Sequence, residues 1–383
     1  MCLTIIAHFS TFFNHFWQFK YNLFGKNYYL CYTNKKRGDG MIDLWQYLKT
    51  VNKPIVLYGI GNGAEKTVNR LNMLGIEVAG IFSSAGFKKN KTFLGHTVTD
   101  YETLKATLGD FIILVCFGSH LPQVTDAIIK LSKKHELYAP DVPVSGEVLF
   151  DLDFAKKHKN ELEKVYNMLA DEHSKRVFEN TVYFKLTGKI DYLLGCESDR
   201  SEAYKLLNLN NNESFLDLGA FTGDTVQEFL SYVDGYDFIT ALEPDNRNFK
   251  RLCQNTADIN NINCVNAAAT DKVGEFMISA NHSRGNSEYG KVVAVNGLTV
   301  DYLSRDRLFT LIKVDVEGNE LKALEGAKEL IKAHKPKMHI ACYHTAFDLF
   351  EIPLNVLSLN PDYKIYLRHH HCLPAWDINC IFI

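Results

Sequence analysis

With 383 residues, of which 46% are hydrophobic and 23% charged, the chain has the makeup of a soluble globular protein and room for two ordinary domains. A net charge of -3 without a long basic run gives no electrostatic reason for a nucleic-acid partner. Nine cysteines, odd in number and without a C-x-x-C pair, read as reduced thiols of a cytoplasmic protein rather than a disulfide or zinc framework.

Residues 1–40 differ from the rest. Aromatics run densely from Phe9 to Tyr32, the bases are Lys20, Lys26, Lys35, Lys36 and Arg37, and Asp39 is the one acid. No positive n-region or small-x-small cleavage site marks a secretory signal. Lys36–Gly40 can be encoded by a purine-rich string resembling a bacterial ribosome-binding site. The segment is therefore read as a translated leader before Met41, with a membrane-surface anchor as the alternative, and membrane contact is expected only if 1–40 is genuine.

Residues 41–148 alternate strands at 54–59, 78–82 and 111–117 with helices at about 64–74, 101–108 and 122–135, the pattern of a small parallel sheet. The first strand runs into Gly59, Gly61 and Gly63, a G-x-G-x-x-A fingerprint in the strand-turn-helix context of a possible nucleotide site. Strand two ends at Ser83-Ser84, without the acid that takes a ribose diol, which disfavours nicotinamide binding. Lys88, Lys89 and Lys91 could meet a phosphate or belong to a solvated loop. Residues 149–210 read as a helical connector.

From 211 to 383 strand and helix alternate again, with strands expected at 214–218, 238–242, 263–267, 311–316, 337–342, 363–367 and 379–382, the last two antiparallel. Phe215–Thr225 takes a buried strand past Asp217, turns at Gly219 and starts a helix near Gly223; glycine there allows the turn and close ligand approach. Helix N-terminal amides favour a negative group. Glu243, 26 residues after Asp217, stands at the carboxyl end of strand two, where a carboxylate can accept both ribose hydroxyls. Asp271 after strand three could bond an adenine amine, and Asp315 and Glu317 close strand four. In an open α/β sheet these ends converge on one crevice.

The phrases DLGAFTGDT (217–225), EPDNRNFKRL (243–252), NAAATDKVGEF (266–276) and IKVDVEGNELKALEGAKELI (312–331) resemble the FkbM-type methyltransferases over roughly 213–370. The fold class this implies is α/β with two doubly wound domains. One is a C-terminal class I, seven-stranded methyltransferase sheet; the other is a smaller N-terminal Rossmann-like domain, joined to it by the helical connector. The resemblance implies S-adenosyl-L-methionine as cofactor, held along Asp217, Gly219, Ala220, Phe221, Gly223, Asp224 and Thr225 and at Glu243 and Pro244. Asp271 would meet adenine, and Asp315 the methionyl end or the substrate. Phe221 departs from the glycine of many class I enzymes and is expected to crowd the turn.

The family's activity implies O-methylation of a hydroxyl on a saccharide, glycan or related polar metabolite, with such a small molecule as partner. His344, after strand five, is the candidate base, with Asp315 and Glu317 competing. No resident metal is assigned, although these two acids could hold a divalent cation that acidifies the acceptor. Residues 281–291 read as an acceptor lid or a hairpin tip. Three adjacent histidines, His369–His371, point to alternate faces of a strand and read as packing. The competing readings are a nucleotide-dependent oxidoreductase or epimerase using the N-terminal domain, or a non-catalytic nucleotide-binding regulatory protein.

Overall fold

The computed structural model describes residues 32–33, 41–84, 92–279 and 292–383. Residues 1–40, apart from a short pairing of Tyr32–Thr33 with Met41–Ile42, lie outside the described residues. So do Lys88, Lys89 and Lys91, and the whole 281–291 loop. Among the described residues no helix is long and apolar enough to cross a membrane.

The N-terminal sheet has six strands: β1 (Ile55–Tyr58), β2 (Val78–Phe82), β3 (Thr92–Phe93), β4 (His96–Thr99), β5 (Ile112–Val115) and β6 (Leu137–Tyr138). Their order is β3-β4-β2-β1-β5-β6, parallel throughout except for the β3/β4 hairpin. The central β1 and β5 are unbroken apolar runs because helices cover both faces of a parallel sheet. Helix α1 (Asn62–Met73) starts directly after the glycine turn, and α2 (Tyr101–Leu108) is begun by Asp100, whose carboxylate accepts from the Thr103 amide.

The C-terminal sheet has seven strands: β7 (Ser214–Leu218), β8 (Phe238–Leu242), β9 (Ile262–Val265), β13 (Leu311–Val314), β14 (Lys337–Ala341), β15 (Ile365–His369) and β16 (Ile378–Phe382). The order is β9-β8-β7-β13-β14-β16-β15, with β16 antiparallel to both neighbours. The third expected strand stops at Val265. The chain then enters a separate three-stranded sheet of β10 (Ala268–Ala269), β11 (Gly274–Ser279) and β12 (Val292–Leu298), which holds Ala268 and Ala269 away from the main sheet. Residues 280–291 connect the antiparallel β11 and β12.

Between the sheets run helices Leu152–Lys157, Lys159–Met168, Glu172–Thr187, Asp191–Leu194 and Arg200–Leu207. Asp151, Asp171 and Asp199 cap three of them, and Gly188 ends the longest in a left-handed turn. The Glu172–Thr187 helix covers edge strand β15: Ser174 Oγ accepts from the Leu367 amide, and Arg368 pairs with Asp171 at 2.7 Å. Bridges from Leu169 to Ile365 and from Glu197 to His369 complete the cover of that strand edge.

Helix α3 (Asp224–Leu230) anchors the second glycine turn. Its Phe229 packs at a tilt against Phe215 of β7 with ring centroids 4.6 Å apart, both rings buried. Burial of one such ring stabilises by roughly 1.5–3 kcal/mol, so α3 is fixed to the sheet immediately after the turn. Helix α4 (Asn246–Asn255) is started by Asp245, whose carboxylate accepts from the Arg247 and Asn248 amides.

Candidate functional site

The carboxyl ends of β8, β7, β13 and β14 bring Glu243, the 219–223 turn, Asp315 and His344 to one edge of the sheet. Gly219 and Gly223 have φ of +87° and +90°. A Cβ on Gly219 would collide with the carbonyl of Asp315, so only glycine lets the turn rest against the end of β13. The amides of Gly219 and Ala220 both donate to Leu242 O, at 3.0 and 2.8 Å, so these two hold the turn to β8 instead of facing a ligand. Ala220 is buried, and Asp224 and Thr225 open α3 on the more exposed side.

Phe221 does not crowd the turn. Its backbone takes the left-handed region at φ +48°, and its side chain is 48% exposed. Such a φ is strained for a bulky residue, and a carboxylate stabilises it here. Glu243 Oε2 accepts from the Phe221 amide at 2.9 Å, and Oε1 accepts from the Asp245 amide at 2.8 Å. The Glu243 carboxylate is thus fixed at the strand end. Burial outweighs those two bonds and raises it to about 7. Asn266, which the sequence pattern did not single out, donates to the Glu243 and Pro244 carbonyls at 2.8 and 3.2 Å. Asp271 stands beyond β10, part-exposed, 4.0 Å from Lys272.

Asp217 is fully enclosed beneath the turn, and neither carboxylate oxygen has a hydrogen-bond partner. Burial raises it to about 7 despite the favourable charge of Lys313. Lys313 pairs in register with Asp217 on one side and His339 on the other, so the three share a face. Its ammonium donates to Asp315 Oδ2 at 3.2 Å. Burial alone would lower Lys313, but Asp315 and Asp217 outweigh it and raise it.

The loop after β13 carries Glu317 at φ +54° and Gly318 at +94°. His344 Nε2 lies 3.3 Å from Asp315 Oδ1 and 3.7 Å from Glu317 Oε2, and Nδ1 lies 2.9 Å from Glu320 Oε1. Burial alone would lower His344. The Glu320, Asp315 and Glu317 carboxylates outweigh it and raise the imidazole to about 10. His344, the candidate base, is fully buried and faces these three carboxylates rather than the open crevice. Asp315 and Glu317, with side chains 31% and 43% exposed, remain open to the crevice. Glu320, the first residue of a helix over Glu320–Glu325, is the acid that spacing did not reveal.

The N-terminal half closes one side. The Ser145 amide donates to His344 O at 2.9 Å, and Ser145 packs on Gly318 so closely that a Cβ there would collide with it. Beside this contact is a cavity of about 240 Å³ lined by Ser145–Val148, Gly318, Glu320, Leu321 and Thr345–Asp348.

Two of the three N-terminal glycines have packing roles, and the third supplies a positive-φ turn. The Phe117 ring lies against Gly59, α1 approaches β5 so that Gly63 meets the Cys116 carbonyl, and Gly61 precedes α1 at φ +110°. Trp376 from the C-terminal half covers Gly118 at the end of β5. His369 and His370 are buried, and His371 joins Glu197 and Thr125 at 2.8 and 2.9 Å.

Residues 217–368 match the methyltransferase FkbM domain. No curated protein matches the chain. A methyltransferase FkbM from Methylobacillus flagellatus KT is similar in structure, with TM-score 0.67 and 23% identity over 86% of this chain and 90% of that one. An rRNA methylase from Streptococcus thermophilus overlaps 48% of this chain and 93% of its own, with TM-score 0.33 and 12% identity. An Aeropyrum pernix fibrillarin in complex with S-adenosyl-L-methionine overlaps 48% and 73%, with TM-score 0.31 and 15% identity.

Proposed function

This chain belongs, through residues 217–368, to the FkbM methyltransferase family, and from that premise we propose that it is an S-adenosylmethionine-dependent O-methyltransferase acting on a hydroxyl of a saccharide or related polar metabolite. The observation that carries the cofactor reading is the Glu243 carboxylate, held at the end of β8 by the Phe221 and Asp245 amides. A carboxylate so placed beside a glycine turn accepts a ribose diol with little reorganisation.

Bound S-adenosylmethionine supplies a methyl group made electrophilic by its sulfonium. Glu243 holds the ribose, the 219–223 turn gives backbone-close approach, and the half-exposed Phe221 ring offers an apolar surface at the same edge. Asp217, enclosed under the turn, makes no direct contact with the cofactor in this reading. The cavity beside Glu320 and Thr345 is the acceptor site in this reading, and its carboxylates Glu147, Asp348 and Glu351 suit the hydroxyls of a polar acceptor. In this reading Asp315 or Glu317, part-exposed after β13, takes the acceptor's proton.

The cysteines among the described residues, most of them buried thiols, support a cytoplasmic, reducing setting. The oxidoreductase alternative gains nothing from the first sheet, where Phe117 and Trp376 occupy the edge beside Gly59 and Gly118. The test is transfer of labelled methyl from S-adenosylmethionine to a panel of saccharides. Label on a hydroxyl, lost in Glu243→Ala, supports the reading; label on nitrogen alone overturns the O-methylation part.

A further inference from the structure

We propose that Asp315, Glu320 and His344 bind one divalent metal ion, of the Mn²⁺ type, at the carboxyl edge of the C-terminal sheet. Each residue brings a donor atom to within 4.8 Å of the other two. Donors about 2.0–2.4 Å from a common ion stand roughly 3–4.8 Å apart, so the cluster has the dimensions of a coordination shell before any side chain moves. An imidazole with two carboxylates suits a first-row divalent ion better than the all-oxygen shell that Ca²⁺ prefers.

A second observation separates the cluster from an ordinary group of acids. His344 is fully buried, yet neither ring nitrogen makes an aligned hydrogen bond; Nδ1 is near Glu320 Oε1 but off the line of a bond. Glu320 is equally buried. Its Oε1 accepts from the Val316 and Gly318 amides at 2.9 and 3.4 Å, while Oε2 has no donor. Polar atoms this deeply buried without partners are costly, and an ion would satisfy the imidazole and Oε2 together. The backbone is shaped around the same point: Glu317 and Gly318 take successive positive φ values, which lets their loop wrap the Glu320 carboxylate. The sequence pattern paired Asp315 with Glu317 for a cation; the fold puts Glu320 in that place.

If the methyltransferase reading holds, and this clause rests on it, the ion borders the acceptor cavity and lowers the pKa of the hydroxyl to be methylated. The test reads the ion alone. Chelator-treated full-length protein is titrated with MnCl₂, following free Mn²⁺ by electron paramagnetic resonance. The bound ion is then examined for electron spin-echo modulation from a coupled nitrogen. One ion per chain with nitrogen coupling is expected. Glu320→Gln and Asp315→Asn should each weaken binding at least about tenfold, while Glu351→Gln, an acid of the same cavity outside the cluster, should leave it unchanged. His344→Gln should abolish the nitrogen signal; if that variant does not fold, the wild-type signal with the two carboxylate variants decides. No saturable binding, an ion without nitrogen coupling, or equal affinity in Glu320→Gln overturns the proposal, leaving an imidazolium as the cage's own cation. Binding without methyl transfer would leave the site standing and remove only the catalytic reading.

Discussion

The Phe221 amide donates to Glu243 Oε2 at 2.9 Å, so the residue that departs from the usual glycine is fastened to the carboxylate that would hold the cofactor. The two positions form one unit, and the left-handed backbone of Phe221 depends on its partner. Glu243→Gln retains one acceptor oxygen and should weaken S-adenosylmethionine by about tenfold, and Glu243→Ala by about a hundredfold, since hydrogen bonds to charged groups are worth roughly 1.5–3 kcal/mol each. Calorimetric affinities of both variants check this, and equal affinities for wild type and alanine variant would refute the unit.

The same carboxylate sets a pH dependence. Burial raises Glu243 from 4.5 to about 7 in the folded protein. The unfolded chain releases its proton first as pH rises, so this group's stabilising contribution is full below pH 4.5 and is lost as the pH approaches 7. Ribose hydroxyls favour the ionised form, so cofactor affinity should rise roughly ninefold between pH 6 and pH 8, as the ionised fraction grows from about one tenth to nine tenths. Titrations at the two pH values in wild type and Glu243→Gln test this, the variant showing a flat profile.

Glycine substitutions at the turn should differ in cost. Gly219→Ala meets the Asp315 carbonyl and carries a φ of +87°. It should destabilise by about 2–4 kcal/mol, lowering Tm by roughly 5–10 °C. In Gly223→Ala the new Cβ lies 3.1 Å from Leu252 and 3.2 Å from Thr256, both side chains that can yield, so backbone strain dominates at about 1 kcal/mol. Thermal unfolding of the two, side by side, gives the ranking.

The cavity between the two halves makes a separable prediction. Val148 lines it and is half exposed. Val148→Trp should fill the opening and raise acceptor KM by about tenfold while leaving S-adenosylmethionine affinity unchanged. A change in cofactor affinity alone would place the acceptor elsewhere.

Much of this architecture was legible where an apolar run ends in a glycine or an acid. Strands 78–82, 214–218 and 238–242 were expected at their observed bounds. The third strand of the main sheet was expected too late, at 263–267. Its exposed Asn263 and part-exposed Cys264 belong to an edge strand, and Ala268 pairs instead with Gly297 of another sheet. The β11 and β12 pair was not expected as strands, since exposed Glu275 and Met277 blur the apolar pattern.

At the site, Glu320 reads from sequence as an ordinary first-turn helix acid, and only the turn through Glu317 and Gly318 carries it beneath His344. Lys313 was not singled out in the sequence, and only the register sets it between Asp217 and His339. His344 was located by its place after a strand; the three carboxylates that change its chemistry come from the loop and helix following a different strand.

The most direct test of the central claim is calorimetric titration of S-adenosylmethionine, and separately of NADH, into the full chain, with Glu243→Ala as control. The account predicts saturable binding of S-adenosylmethionine, about a hundredfold weaker in the variant, and no binding of NADH. Binding of NADH alone, indifferent to Glu243, would contradict the account and move the functional site to the N-terminal sheet.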